Sequence, residues 1–476
     1  MGKFEEGGRD LEQPSTYGFL FTFESRVTFQ ARGMREMLLP DKAEERKHLQ
    51  VDTLIATLRE RFTSIVDHRS TGCTTTLPDA LMSGFALFAL KEPSLLAFQD
   101  RIKDSNLRTI YGMQHVPSDT QLRAILDPVN PENLRPCFTD IFRELQRGKA
   151  LEPFVFSQGR YLLSCDGVTH FTSAKIHCPH CLEKHHKNGT VSYSHQMFAG
   201  ALVHPDLREV IPVMPEPILK QDGADKNDCE RNAAKRFMAK FREDHPLLEV
   251  IVVEDGLSSN GPHIEDLQHY YMHFILGAKP GDHTALFARM AAEAEAGTAQ
   301  VLTLADPKSG TIHHFRWLCQ VPLNDSHPHL LVNFLEYWEV KDGQVQYFSW
   351  VTDLELTEDS VWLVMRGGRA RWKIENETFN TLKNQGYQFE HNFGHGEEHL
   401  ATVFALLMML AFLVDQVQQL CSPLFRAVWQ KYGTKRLLWD RMRCLFTDFV
   451  FATMRELFEA LLAGIDKRKP VLLNSS

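Results

Sequence analysis

Residues 247–256 read LLEVIVVEDG, and the run Val250–Val253 inside this stretch decides the fold class. Four consecutive β-branched apolar side chains suit a strand covered on both faces, and Asp255-Gly256 marks the turn at its carboxyl end. Such a strand needs covering helices. Residues 226–243 (KNDCERNAAKRFMAKFRE) and 260–271 (NGPHIEDLQHYY) flank it with helical spacing. Upstream, RYLLSCDGVTHF (160–171), SYSHQMFAGALVHP (192–205) and REVIPVMPEPI (208–218) are three strand-like runs separated by turn signals, and HFILGAKPG (273–281) adds another. The order predicts an α/β fold with a sheet of mixed direction.

Further out the texture changes twice. Between residues 298 and 350 the pieces TIHHFRWLCQV, LLVNFLEYWEV and GQVQYFSWVTD read as strands without helical pattern, a β-rich insertion. Residues 51–157 are helical in spacing, with DTLIATLRERF and DALMSGFALFAL as examples and a capping box of Ser118 and Gln121, and are read as an all-α domain for DNA binding. The expected organisation is an N-terminal arm at 1–50 with a short strand at 18–29, this helical domain, a core at 158–297, the insertion at 298–350, the core again at 351–396, and C-terminal helices at 397–476. The apolar run 400–414 stops at Asp415, short of the roughly 20 residues that a bilayer span needs, so it is read as a core or dimer helix and no membrane is expected.

With 476 residues, 43% hydrophobic and 24% charged, the chain has the composition of a folded soluble protein with room for several domains. A net charge of -9 excludes a uniformly basic DNA-coating protein. Basic residues do cluster locally: 366–383 holds five against two acidic, and 431–443 holds five against one. Nine cysteines scattered through a long chain argue against a disulfide framework, and the start lacks an apolar secretion segment, so a reducing cytosol is expected.

Asp166 lies within the first strand and Asp255 ends the VIVVED run, at the kind of carboxyl end where α/β sheets gather ligands. A third carboxylate comes from RWKIENETFNTLK, residues 371–383. At about 3.6 residues per turn, Arg371, Glu375 and Lys383 share a helix face, and Glu377, about 200° from Glu375, points away. Three convergent carboxylates can hold two divalent cations for phosphodiester chemistry.

This order of Asp166, Asp255, a β-rich stretch and then RWKIE with Phe379 and Leu382-Lys383 resembles the DDE transposases of bacterial insertion sequences, in the branch with the signature Tyr-x2-Arg-x3-Glu-x6-Lys. The resemblance covers roughly residues 161–387. It departs at Gly368, where the signature has tyrosine, and in placing seven residues rather than six between Glu375 and Lys383. It implies an RNase H-like core, and DNA cleavage and strand transfer by Asp166, Asp255 and Glu375 with two Mg²⁺ (or Mn²⁺) ions. Arg371 and Lys383 would contact DNA phosphate, and Trp372 would stack on an unpaired base. The implied partners are double-stranded DNA, as terminal inverted repeats and target, and a second copy of the chain. Rival readings are an RNase H-like nuclease that cuts without joining, and a zinc-containing DNA-binding regulator with an inactive core.

The stretch IHCPHCLEKHH carries Cys178-x2-Cys181-x3-His185, with His177, His180 and His186 alongside. Thiolates and imidazoles at this spacing suit tetrahedral Zn²⁺, so Cys178, Cys181, His185 and His186 are the expected ligands of a zinc-stapled hairpin at 176–190. His391, His395 and His399 recur every four residues, but Gly394 and Gly396 argue for a turn near the active site instead of a helical ligand row.

Overall fold

The computed structural model describes residues 46–464 except residue 71 and residues 221–228, so nearly all of the expected N-terminal arm lies outside the described residues. Twelve strands form one mixed sheet: β1 (Val155–Ser157), β2 (Arg160–Ser173), β3 (Leu182–His185), β4 (Val191–Val203), β5 (Ile211–Pro212), β6 (Glu216–Ile218), β7 (Val250–Glu254), β8 (His273–Gly277), β9 (Gln300–Ala305), β10 (Ile312–Asn324), β11 (His327–Lys341) and β12 (Gln344–Thr352). The order along it is β3-β4-β2-β7-β8-β12-β11-β10-β9, with β1 beside β2 and β5 and β6 beside β4. Among the described residues, only β2, β7 and β8 pair in parallel. This is where the continuous apolar run falls: all five residues of β7 are buried.

The crossover helix Glu230–Asp244 buries Ala233, Phe237 and Phe241 against this part of the sheet. Phe237 stacks edge-on to Phe198, and Gly200 of β4 has to be glycine because a Cβ there would collide with the Phe237 ring. The strand-like residues after 298 become β9 to β12, which add to the same sheet through antiparallel pairing of β12 with β8. A helix at Thr284–Glu295, absent from the sequence reading, packs Phe287 on Phe334 of β11.

The helical segments from the two ends of the chain pack together. The helix Leu400–Cys421 lies against the helix Leu77–Ala89, where Gly84 leaves room for Leu407. Asn106 donates to the carbonyls of Phe446 and Phe449 and accepts from the Phe451 N–H, while Asp52 accepts from the Met454 and Arg455 N–H groups. The capping box forms as expected, with Ser118 and Gln121 as reciprocal partners.

The apolar helix does not stop at Asp415. It runs 22 residues to Cys421, long and apolar enough to cross a membrane by length and composition alone, yet 94% of its apolar window is buried within the protein. Asp415 is tolerated there because Lys91, whose side chain is fully buried, reaches it at 2.6 Å. The Tyr387 hydroxyl also donates to Asp415, and the Lys91 ammonium sits 4.4 Å from the Trp439 ring centre. Burial pushes the Lys91 ammonium down and Asp415 opposes that shift.

Removing one partner strands a buried charge, so Asp415→Ala should cost about 3–5 kcal/mol, whereas Lys91→Met combined with Asp415→Leu should be far closer to neutral. Urea denaturation followed by helical circular dichroism checks this. Equal losses in the single and double variants would mean that the ion pair is not what ties the two helical segments.

Candidate functional site

The parallel register of β2 and β7 runs Tyr161↔Val250 to Ser164↔Val253. The pairing ends there, and two residues further along lie Asp166 in β2 and Asp255 just past the end of β7; the same register, if continued, would turn both to one face of the sheet. Asp166 accepts the Gly167 N–H at 2.9 Å. Asp255, just past the end of β7, accepts the Leu257 N–H at 2.8 Å and has the Lys279 ammonium at 3.8 Å.

Glu375 arrives from the helical segment after β12. The Ser164 hydroxyl donates to the Arg371 carbonyl at 2.8 Å and pins this segment to β2. From there the Arg371 guanidinium lies 2.7 Å from Glu375 and 3.6 Å from Asp166, so Asp166, Arg371 and Glu375 come together. Trp372 is 49% exposed beside them, with the Arg371 guanidinium 5.0 Å from its ring centre. Lys383 pairs with Glu390 at 2.8 Å. Glu377 acts electrostatically on Lys373 and Lys435.

The expected regular α-helix is a correction: Ile374–Phe379 forms a π-helical turn, followed by a short α-helix at Asn380–Asn384. Such turns carry i→i+5 bonds and so take up one residue more than an α turn. At position 368, where a tyrosine was sought, a Cβ would collide with the Trp350 indole, and only glycine fits.

The site holds a carboxylate that the sequence reading missed. Glu230, in the first turn of its helix, lies directly over Gly167, where a Cβ would collide with the glutamate side chain. Burial pushes the Asp166 carboxyl up to about 7, with Arg371 opposing and Glu230 and Glu375 adding to the rise. Glu230 is raised as well, by burial and then by Asp255 and Glu254. An acidic residue in a helix's first turn is common, so nothing in the sequence marked it.

A second centre lies at the far end of β2. Cys178 and Cys181 form a tight turn in which the Cys181 N–H meets the Cys178 carbonyl at 3.2 Å and the Cys178 N–H meets the Cys181 Sγ at 3.5 Å. The two sulfurs are 3.9 Å apart, Cys178 Sγ is 3.4 Å from His195 Nε2, and Cys181 Sγ is 3.2 Å from His395 Nε2. All four donor atoms lie within 4.8 Å of one another. The neighbouring Cys181 thiol first, then the imidazoles, hold the Cys178 thiol well below its usual range, and the shared proton pushes Cys181 up.

The expected ligands His185 and His186 are not at this centre. Both are exposed on the hairpin, His185 3.5 Å from Glu183 and His186 bonded to the Ser192 hydroxyl at 2.9 Å. Their places are taken by His195, which β4 sets in register with Phe171 of β2, and by His395 from the glycine-rich turn. His391 and His399 do not join that set.

No protein-family model matches the chain. No curated protein matches it either. Among solved structures it is similar to a piggyBac transposase synaptic complex with hairpin DNA seen by cryo-EM, at 11% identity and a TM-score of 0.37, over 87% of this chain and 78% of that one.

The raised Asp166 carboxyl has a measurable consequence. A folded pKa near 7 against about 3.9 unfolded means that folding favours the protonated form, so this group's contribution is complete below about pH 4 and lost as pH rises through about 7. In the presence of chelator, the melting temperature of Asp166→Asn should therefore gain on that of the parent chain between about pH 5 and about pH 8. Parallel melting curves across that range would show that Asp166 is solvated like an ordinary surface carboxylate.

Proposed function

We propose that the chain is a DDE-type DNA transposase, cleaving and joining phosphodiesters at the ends of an insertion sequence through Asp166, Asp255 and Glu375. The observation that carries the reading is the Arg371 guanidinium shared between Asp166 and Glu375, beside a β2–β7 pairing that ends two residues short of Asp166 and Asp255. An RNase H-like core is the reading of β6, β4, β2, β7 and β8, where antiparallel strands give way to parallel ones joined by helices.

The donor set suits hard divalent cations. Half-buried carboxylates whose pKa values rise through burial first and repulsion from neighbouring carboxylates second suit a bound cation, and oxygen ligands favour Mg²⁺ or Mn²⁺. Asp166, Asp255 and Glu375 would hold two such ions, which when bound activate the attacking oxygen and stabilise the leaving one. Glu230 adds negative charge and orients the neighbourhood of Asp166. Arg371 neutralises the pair Asp166 and Glu375 and can exchange a carboxylate contact for a phosphate oxygen, where its planar fork is well matched. Exposed Trp372 offers a stacking face for an unpaired base, and Lys383 a point-charge contact to phosphate once it leaves Glu390.

The substrates in this reading are terminal inverted repeats and target DNA, two copies of the chain bring two ends together, and the setting is the cytoplasm, on the nucleoid when DNA is bound. Purified chain, duplex carrying the element's end and Mg²⁺ form the test, scored for nicks and joined products. Asp166→Asn, Asp255→Asn and Glu375→Gln should each lose about 1,000-fold or more in cleavage with DNA binding kept, because an amide cannot hold the cation. Glu230→Gln should lose about 10–100-fold and need more metal, and Glu377→Gln should stay within about a few-fold. Cleavage without joining would favour the nuclease reading. Full activity in Glu375→Gln would remove the glutamate from the site.

A further inference from the structure

We propose that Cys178, Cys181, His195 and His395 bind one structural Zn²⁺ that clamps the β2–β3 connection to the turn following the Glu375 segment. The inference is independent of the cleavage reading, since it rests on a different set of side chains.

Three of the six donor–donor edges have the lengths that a zinc tetrahedron requires, and the other three are within 4.8 Å. Zn–S bonds of about 2.3 Å and Zn–N bonds of about 2.0–2.1 Å imply edges of about 3.8 Å between sulfurs and about 3.5 Å between sulfur and nitrogen. The observed edges are 3.9 Å between sulfurs and 3.4 and 3.2 Å from sulfur to nitrogen. Sulfurs 3.9 Å apart are not disulfide-bonded, for which about 2.05 Å is required. Two sulfurs with two imidazoles in tetrahedral array select Zn²⁺ over Mg²⁺ or Ca²⁺, which take oxygen ligands.

Both histidines present Nε2 to the sulfurs, so a metal ion among the four would take the Nε2 lone pairs and leave the proton of each neutral ring on Nδ1. Cys178, Cys181 and His195 are buried, at 6%, 0% and 2% exposure. With four protein donors and burial on three of them, the set has no open position for substrate, as expected of a structural site. Without an ion, two buried sulfurs and two imidazoles would have only one another as partners, a poor return for desolvating them.

The consequence lies in the chain's connectivity. The β3 hairpin pairs a four-residue strand with the first residues of β4 and has little core of its own, and the turn at 385–399 has little regular structure. Asp127 holds the latter from one side, accepting the N–H groups of Glu397, Glu398, His399 and Leu400. Zinc would hold it from the other, through His395. Both holds fall at the carboxyl end of the turn, at His395 and at residues 397–400, immediately before the core helix Leu400–Cys421.

Elemental analysis of the full chain, purified without chelator, should find about one zinc per chain. After exchange, the cobalt form of the unaltered protein should show the intense visible bands of a tetrahedral ion and thiolate-to-cobalt charge transfer, a readout that needs no variant. His195→Ala with His395→Ala should bring zinc to background, while His185→Ala with His186→Ala, and separately Asp166→Asn, should keep the full complement. A chain that takes up neither zinc nor cobalt in this form overturns the proposal. So does zinc that survives loss of His195 and His395, or that leaves with His185 and His186.

Discussion

A carboxylate inside a strand of a parallel sheet must find a positive partner or take up a proton, and at Asp166 this constraint shapes everything around it. Arg371 is the partner the chain supplies, and it is shared with Glu375. Because the Arg371 carbonyl is itself tied to Ser164 on the same strand, side chain and backbone both bind the helical segment to β2. A segment more than 200 residues away in sequence is thus located by contacts within one turn of a single arginine. The compensation is incomplete: burial keeps the carboxyl of Asp166 raised, and Glu230, which closes over Gly167, adds to the rise. A site tuned only for stability would have put an amide or a second cation there. In the transposase reading proposed above, that excess negative charge is what divalent cations would take up.

The sheet explains how so long a chain keeps that site in one place. β12 pairs with β8, so the residues that return from the β-rich stretch re-enter beside the strand next to β7. The helix Val361–Arg369 then packs Gly367 close against Ile275 and Phe156, which directs the chain towards Ser164 and Arg371. Gly368 belongs to the same arrangement: the Trp350 indole at the end of β12 fills the volume that any side chain at 368 would need.

What could be read in advance follows from the range of the forces involved. Val250–Val253 announced a strand buried on both faces because local composition and the parallel sheet's environment agree there. Asp166 and Glu375 were legible because one interrupts an apolar strand and the other stands one turn from an arginine. Glu230, His195 and His395 were not, since each is unremarkable among its sequence neighbours and gains meaning only from what the topology places opposite. His195 is separated from Cys181 by a whole strand of pairing, and His395 by most of the fold. His185 and His186 were the nearer donors, but the hairpin turns their side chains to solvent. Asp415 misled for the same reason: a charge looks like the end of an apolar helix until Lys91 is seen opposite it.

The wide turn at Ile374–Phe379 connects the last two departures from the expected pattern. On a regular helix, a step of eight residues from Glu375 to Lys383 would overshoot two turns by about 80°. A π turn absorbs one residue, so the remaining step behaves as seven, about 20° short of two turns, and brings the two residues nearly into line. The extra residue therefore need not move the lysine off the glutamate's face; it is accommodated as a bulge, at the cost of regular hydrogen bonding in one turn. Thr378, buried in that turn, has a hydroxyl without a hydrogen-bond partner among the described residues. Glu375 stands in the first turn of the wide segment, so the direction of its side chain towards Arg371 is set by the irregular turn and not by a straight helix.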